Sequence, residues 1–268
     1  MVRCARDGCH RRLPGVLAKG LDLGVMVDGR WYCSARCVEH LVRAAIASLR
    51  SKPIGADRLW GSVRLGALLV RQVGLPDEVV ETALAQQGRL QEPLGRTLRR
   101  LGVITANDLL RALAMQAGVR YLASVDPAAV AHRHGQLSDE TVRALRIVPV
   151  AADPKRRALQ VACTAPIPGQ AVRALARITD SAVEPMLVAD EALPPLVELY
   201  ARAVGRNGNV RGTRCVTDSG PRIVARTARA HREVRMLCER CDPYVWVRLD
   251  SEDGMADVLM ATPASEEE

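Results

Sequence analysis

Four of the eight cysteines in this 268-residue chain fall near its start, at spacings that metal ligands use. Cys4 and Cys9 form a C-x4-C pair, Cys33 and Cys37 a C-x3-C pair, and 23 residues lie between the two pairs. Two thiolate pairs brought together make a tetrahedral zinc site, and in a module too small to build its own core the metal supplies the missing folding energy. The alternative is that these cysteines are buried apolar residues. His10, beside Cys9, could replace one ligand. Near the other end Cys238 and Cys241 form a lone C-x-x-C. It reads as half a zinc site completed by Cys215 or His231, as a redox pair, or as a tight turn with two buried thiols.

The elements that would position the first four cysteines are legible. The run "VMVDGRWYC" alternates around Asp28-Gly29, a hairpin signal. "SARCVEHLVRAAIASLR" reads as a helix with Ser34 as its N-cap. A knuckle, a hairpin and a helix carrying the last ligand resembles a treble-clef zinc finger over residues 1–50. "SKPIGADRLWGS" (51–62), with its proline, glycines and serines, reads as a linker.

A second kind of chemistry comes from a repeated sentence. "RLGALLVRQVGLPDEVVETALAQQ" runs from Arg64 to Gln87 and "PLGRTLRRLGVITANDLLRALAMQ" from Pro93 to Gln116. Each block is 24 residues long, and five residues separate them. Apolar residues fall at helical spacing in both, and acids or caps at Pro76-Asp77-Glu78 and Thr105-Ala106-Asn107-Asp108 mark the start of each second helix. Each block is therefore expected to be a helical hairpin, and the two must pack together because neither alone can bury its leucine face. A stable four-helix module accounts for the leucines. It accounts less well for Gly66 and Gly95 near a helix start, where glycine costs about 1 kcal/mol against alanine, or for the repeated terminal Gln87 and Gln116. A pseudo-twofold pair of sites, each with a helix N-terminus, a glycine and an amide, suits a ligand that is itself twofold and anionic.

These tandem blocks, followed by "LRIVPVAADP", "LQVACTAP" and "VEPMLVADEALPPLVELY", resemble the N-terminal (MshEN) domain of the type II secretion and type IV pilus assembly ATPases, over about residues 62–204. The resemblance implies cyclic di-GMP as ligand. It places Arg64, Leu65, Gly66 and Gln87 in one half-site and Leu94, Gly95 and Gln116 in the other, and it implies a protein partner in secretion or pilus machinery. An arginine at position 64 could hydrogen-bond phosphate and stack on guanine at once. The sequence departs from the family pattern at Val73, Pro93 and Arg96. The family's catalytic half needs a G-x-x-x-x-G-K-[ST] phosphate loop, and no such string occurs. Its absence, together with five scattered histidines and no G-x-S-x-G, makes the chain an expected non-enzyme.

The fold class expected is therefore α+β: a treble-clef-like zinc finger (1–50), a tandem helical-hairpin repeat (62–120) with a small α/β subdomain of about three strands (121–204), and a small β-rich module with the C-x-x-C (213–262). "AVGRNGNVRGTR" (203–214) reads as a second linker. The net charge of +8 is concentrated early, with 11 basic against 5 acidic residues in 1–60. That excess brings nucleic acid into consideration as a partner through the finger, although arginine-rich helix faces are usually just solvated. "AHRHG" (131–135) reads as a solvated loop, not a metal pair. No apolar run reaches the ~18 residues of a membrane span, and no signal peptide is visible, so a cytoplasmic regulator is expected. The alternative is an interaction adaptor that keeps the fold without the ligand.

Overall fold

In the computed structural model, which describes residues 1–15, 23–51, 63–131, 136–207, 209–231 and 233–262, Val2–Arg3 (β1) and Arg12–Leu13 (β2) pair antiparallel. Val25–Val27 (β3) folds back on Arg30–Tyr32 (β4). Asp28 (φ 49°) and Gly29 (φ 71°) both take the left-handed conformation that the tight hairpin turn requires. Ala35–Arg50 (α1) follows, its first turn closed by the Ser34 side chain accepting from the Cys37 N–H. The linker at 52–62 and the pair His132 and His134 lie outside the described residues.

The two repeat blocks fold as four helices: Leu65–Val73 (α2), Asp77–Leu90 (α3), Leu94–Arg100 (α4) and Ala106–Ala117 (α5). Thr105 and Asp108 cap α5 reciprocally in a capping box. The packing crosses the blocks, with α2 against α5 and α3 against α4. The shared core is built from matched positions 29 residues apart in the sequence: Leu69 with Leu98, Leu75 with Ile104, Val80 with Leu109, and Ala83 with Ala112.

Arg120–Tyr121 (β5), Pro127–Ala131 (α6), Asp139–Leu145 (α7), Ile147–Asp153 (β6), Ala158–Cys163 (β7), Gly169–Thr179 (α8), Ala182–Leu187 (β8) and Leu193–Asn207 (α9) make the α/β part. Its sheet has four strands in the order β5-β8-β7-β6, where the sequence reading expected about three. The extra strand, β5, is only two residues long and carries no pattern of its own.

Beyond it lie Val210–Val216 (β9), Gly220–Ala230 (α10), Glu233–Cys241 (β10), Tyr244–Ser251 (β11) and Gly254–Ala261 (β12). The stretch read as a second linker is instead the end of α9 and the start of β9, which pairs parallel with β12 along seven positions. β3 pairs parallel with β10, so one six-stranded sheet runs β4-β3-β10-β11-β12-β9. The cysteine-bearing N-terminal segment and the C-terminal strands thus share a sheet and a core.

At its centre, along β11 and β12, both faces of that sheet are covered. Along β11, Val245, Val247 and Leu249 join the core under α1 and α10, while Trp246 points to the α/β core with Leu259 of β12. Arg248 and Asp257 sit on the α/β side, 2% and 1% exposed. Asp257 Oδ1 accepts from Arg248 Nε (2.8 Å) and Trp246 Nε1 (3.0 Å), and its Oδ2 from Arg248 Nη2 (2.9 Å), Ser138 N–H (3.1 Å) and Thr141 Oγ1 (3.1 Å). Arg248 spends its other donors on the carbonyls of Ile178 (3.2 Å) and Gln136 (2.9 Å). Truncating one partner of such a pair leaves an uncompensated buried charge. Asp257→Ala should therefore lower the urea-unfolding free energy by about 3–5 kcal/mol. Arg214→Gln, which removes the exposed 3.7 Å contact to Glu140, should change it by less than about 1 kcal/mol.

Candidate functional site

The sulfurs of Cys4, Cys9, Cys33 and Cys37 converge, with all four Sγ atoms within 4.8 Å of one another. Cys33 and Cys37 stand 3.6 Å apart, Cys9 and Cys33 3.7 Å, and Cys9 and Cys37 3.9 Å. Four thiolates about 2.3 Å from a single tetrahedral ion stand roughly 3.8 Å apart, so the spacing fits a metal ion held by all four. The local chain explains the convergence. The β1–β2 turn presents the first pair, β4 delivers Cys33, and the start of α1 swings Cys37 back beside it. Cys33 N–H reaches Cys4 Sγ at 3.5 Å, and Arg6 Nη1 reaches Cys37 Sγ at 4.0 Å. Burial raises the Cys33 thiol, pushed up to about 12 with help from its cysteine neighbours. In Cys37 burial opposes ionisation too, but hydrogen bonds from Ser34, Cys33, Arg6 and Cys4 outweigh it and bring the thiol down to about 7. His10 is not part of the group.

The second cysteine pair does something else. Both residues lie on β10, three positions apart, and a strand sends such positions to opposite faces. Cys238 packs into the core under α1 and α10, whereas Cys241 packs against Ala171 and Ala174 of α8. Burial pushes each thiol up to about 12. A half-buried and a buried thiol that diverge cannot chelate one ion or close on each other, so of the three readings left open for this pair, the buried-thiol one comes closest to the geometry, with Cys238 half-buried and a strand where a turn was expected. His231 meets Ser251 Oγ at 3.1 Å instead of a cysteine.

On the hairpins, Arg64 sits exposed at the N-cap of α2 and makes no side-chain cap. Leu65, Gln87, Leu94 and Gln116 are half-buried, and Gly66 and Gly95 are buried. A Cβ on Gly66 would lie 2.9 Å from Val80 Cγ1 and 3.7 Å from Leu94 Cδ2, and one on Gly95 would lie 2.5 Å from Leu109 Cδ1. The close approach that glycine permits is thus that of the second helix of each block, at matched positions. Gln116 donates from Nε2 to the Val63 carbonyl at 2.8 Å, bracing the second block to the residue before Arg64. The departure at Val73 has a simple structural account. Gly74 takes the left-handed conformation (φ 71°) at the end of α2, and Gly102 (φ 72°) does so just beyond α4, so each block keeps its helix-ending glycine, one position later in the first. Arg96 lines a cavity of about 640 Å³ together with Arg146, Asp190 and Asp242. Pro93 is the N-cap of α4.

No family model and no curated protein matches the chain. Among solved structures it is similar to MshE with cdg, at 28% identity and a TM-score of 0.41, over 52% of this chain and 99% of that one. It is also similar to the N-terminal domain of XpsE in two crystal forms, both at 18% identity. These cover 51% and 56% of this chain and 93% and 99% of the other, with TM-scores of 0.33 and 0.28. Each of these matches covers about half of this chain. Among the described residues, no helix is long and apolar enough to cross a membrane.

Metal analysis of the purified chain should find one ion per chain. Cys9→Ser combined with Cys33→Ser should abolish it, while Cys238→Ser should leave the stoichiometry unchanged. Loss of metal on Cys238→Ser would contradict the ligand set.

Proposed function

We propose that this protein is a non-catalytic, cytoplasmic regulator that binds cyclic di-GMP through its tandem hairpins and holds zinc in its four-cysteine cluster. Residues 62–204 form the MshEN-like ligand-binding part, 1–50 a treble-clef-like finger, and 213–262 the strand-rich module that carries the response. The observation that carries this reading is the pseudo-twofold hairpin unit, in which four pairs of core residues and both buried glycines recur 29 positions apart. A twofold receptor surface suits a ligand made of two identical halves. Within it, Arg64 supplies a planar guanidinium free of any capping role, suited to phosphate and to the face of a guanine. Leu65 and Leu94 supply apolar contact to the bases, and Gln87 supplies amide hydrogen bonds. The partner is a component of secretion or pilus machinery whose contact changes with ligand occupancy. For the metal, four thiolates within 4.8 Å of one another, three of them 3.6 to 3.9 Å apart, favour a soft tetrahedral ion, and zinc is the common choice.

One observation favours a second reading, an interaction adaptor that keeps the fold and has lost the ligand. The Gln116 amide is already committed to the Val63 carbonyl, so the two half-sites are not equivalent. Isothermal titration with cyclic di-GMP separates the two. The wild type should bind, and Arg64→Ala should weaken binding by at least tenfold, about 1.4 kcal/mol. Binding unaffected by Arg64→Ala would overturn the site, and no heat at high ligand concentration would leave the adaptor.

A further inference from the structure

α1 and α10 are separated by 169 residues of chain (51–219), yet they pack side by side on one face of the six-stranded sheet. Each buries a stripe, Val38, Val42 and Ile46 on α1 and Val224, Ala225 and Ala228 on α10. Each turns arginines outward. Arg36, Arg43 and Arg50 recur every seven residues on α1 and are exposed, as are Arg222, Arg226 and Arg229 at spacings of four and three on α10. Seven residues are nearly two turns, so the α1 arginines line one face about 10.5 Å apart along the axis.

The two helices contain a single carboxylate, Glu39. Arg43 holds it at 2.8 Å. Its carboxyl lies below the usual range, through that hydrogen bond first and then through the charges of Arg43, Arg222 and His40. Elsewhere the arginines of this chain are commonly paired, as in Arg99 with Glu191, Arg143 with Glu198 and Arg177 with Glu239. Among the described residues, Arg36, Arg50, Arg222, Arg226 and Arg229 have no such partner. Unbalanced guanidinium groups on a rigid two-helix face form a field that attracts a polyanion.

We infer that the paired outer faces of α1 and α10 form a docking surface for the phosphate backbone of double-helical DNA. The charge is complementary, and guanidinium groups suit phosphate oxygens geometrically. No large apolar side chain of either helix is exposed, which disfavours an anionic membrane, where an interfacial helix buries an apolar face. No exposed aromatic residue belongs to either helix, which disfavours single strands, where bases stack on aromatic rings. Two packed helices, with axes about 8–10 Å apart, are too broad together for a major groove about 12 Å wide. The face therefore lies across the phosphate rows and binds with little regard for sequence. This inference does not depend on cyclic di-GMP binding, and either can fail without the other.

The test is fluorescence anisotropy of the full metal-loaded chain with a 30-base-pair duplex of arbitrary sequence, titrated at several salt concentrations. With about five phosphates engaged, the logarithmic salt slope should be near −4.5. Arg226→Gln with Arg229→Gln, and separately Arg36→Gln with Arg50→Gln, should each weaken binding at least tenfold at low salt and reduce the slope by about 1.8. Lys155→Gln with Arg156→Gln, which removes the same charge from an exposed turn, should change neither. All six positions are exposed, and unchanged circular dichroism would confirm folding. Absence of binding at 50 mM salt, equal loss in the Lys155 and Arg156 variant, tighter binding to single strands, or a preference for phosphatidylserine vesicles over duplex would each overturn the inference.

Discussion

The rest of the structure depends on a six-stranded sheet whose central strands, β11 and β12, are covered on both faces. A sheet covered on both sides must offer side chains to two cores at once, and β11 does so strictly, with Val245, Val247 and Leu249 to one side and Trp246 to the other. One charge pair, Arg248 with Asp257, is buried in that scheme, and it is tolerated because the donors and acceptors around it replace the lost water. Its partners come from the N-cap of α7, the end of α8 and the neighbouring strands. The pair therefore fixes how the α/β part sits on the sheet, beyond what apolar contact alone would specify.

From that junction a continuous path of packed elements runs in both directions. α5 belongs to two cores, placing Ala112 among the hairpins and Leu110 and Ala114 in the α/β part. The α/β part meets the sheet through Trp246 and the Arg248–Asp257 pair, and the sheet carries α1, α10 and the four-cysteine cluster on its far side. A change in how the two hairpin blocks close on each other can thus reach α1 without crossing a flexible joint among the described residues. Packed elements of this kind shift between discrete arrangements more readily than they deform.

What the sequence made legible, and what it hid, divides by range. The cysteine spacing, the Asp28-Gly29 turn, the Ser34 and Thr105 caps and the repeat all signal locally, and the elements they announce are present. The parallel pairing of β3 with β10 joins residues more than 200 positions apart through two paired positions. No local pattern announces such a pairing. α10 lies within a segment expected to be rich in strands, and its "GPRIVARTARA" spaces small apolar residues among arginines, so its helical face shows only when the 3.6-residue period is counted. Gly66 and Gly95 drew attention as possible ligand contacts, while their burial against Val80 and Leu109 depends on partners 14 residues away that only packing identifies.

The two cysteine motifs show why spacing needs a backbone before it means anything. C-x3-C across the start of a helix turns both sulfurs the same way, so Cys33 and Cys37 meet at 3.6 Å. C-x-x-C within a strand sends its sulfurs to opposite faces, so Cys238 and Cys241 enter different cores. The first arrangement also sets the position of α1, since Cys37 lies in its first turn and Arg36 beside it on the outer side. Any metal held by Cys37 would anchor the same helix whose arginines form half of the basic face. The position of that helix start is thus set on one side by the cysteine cluster and on the other by its packing against α10.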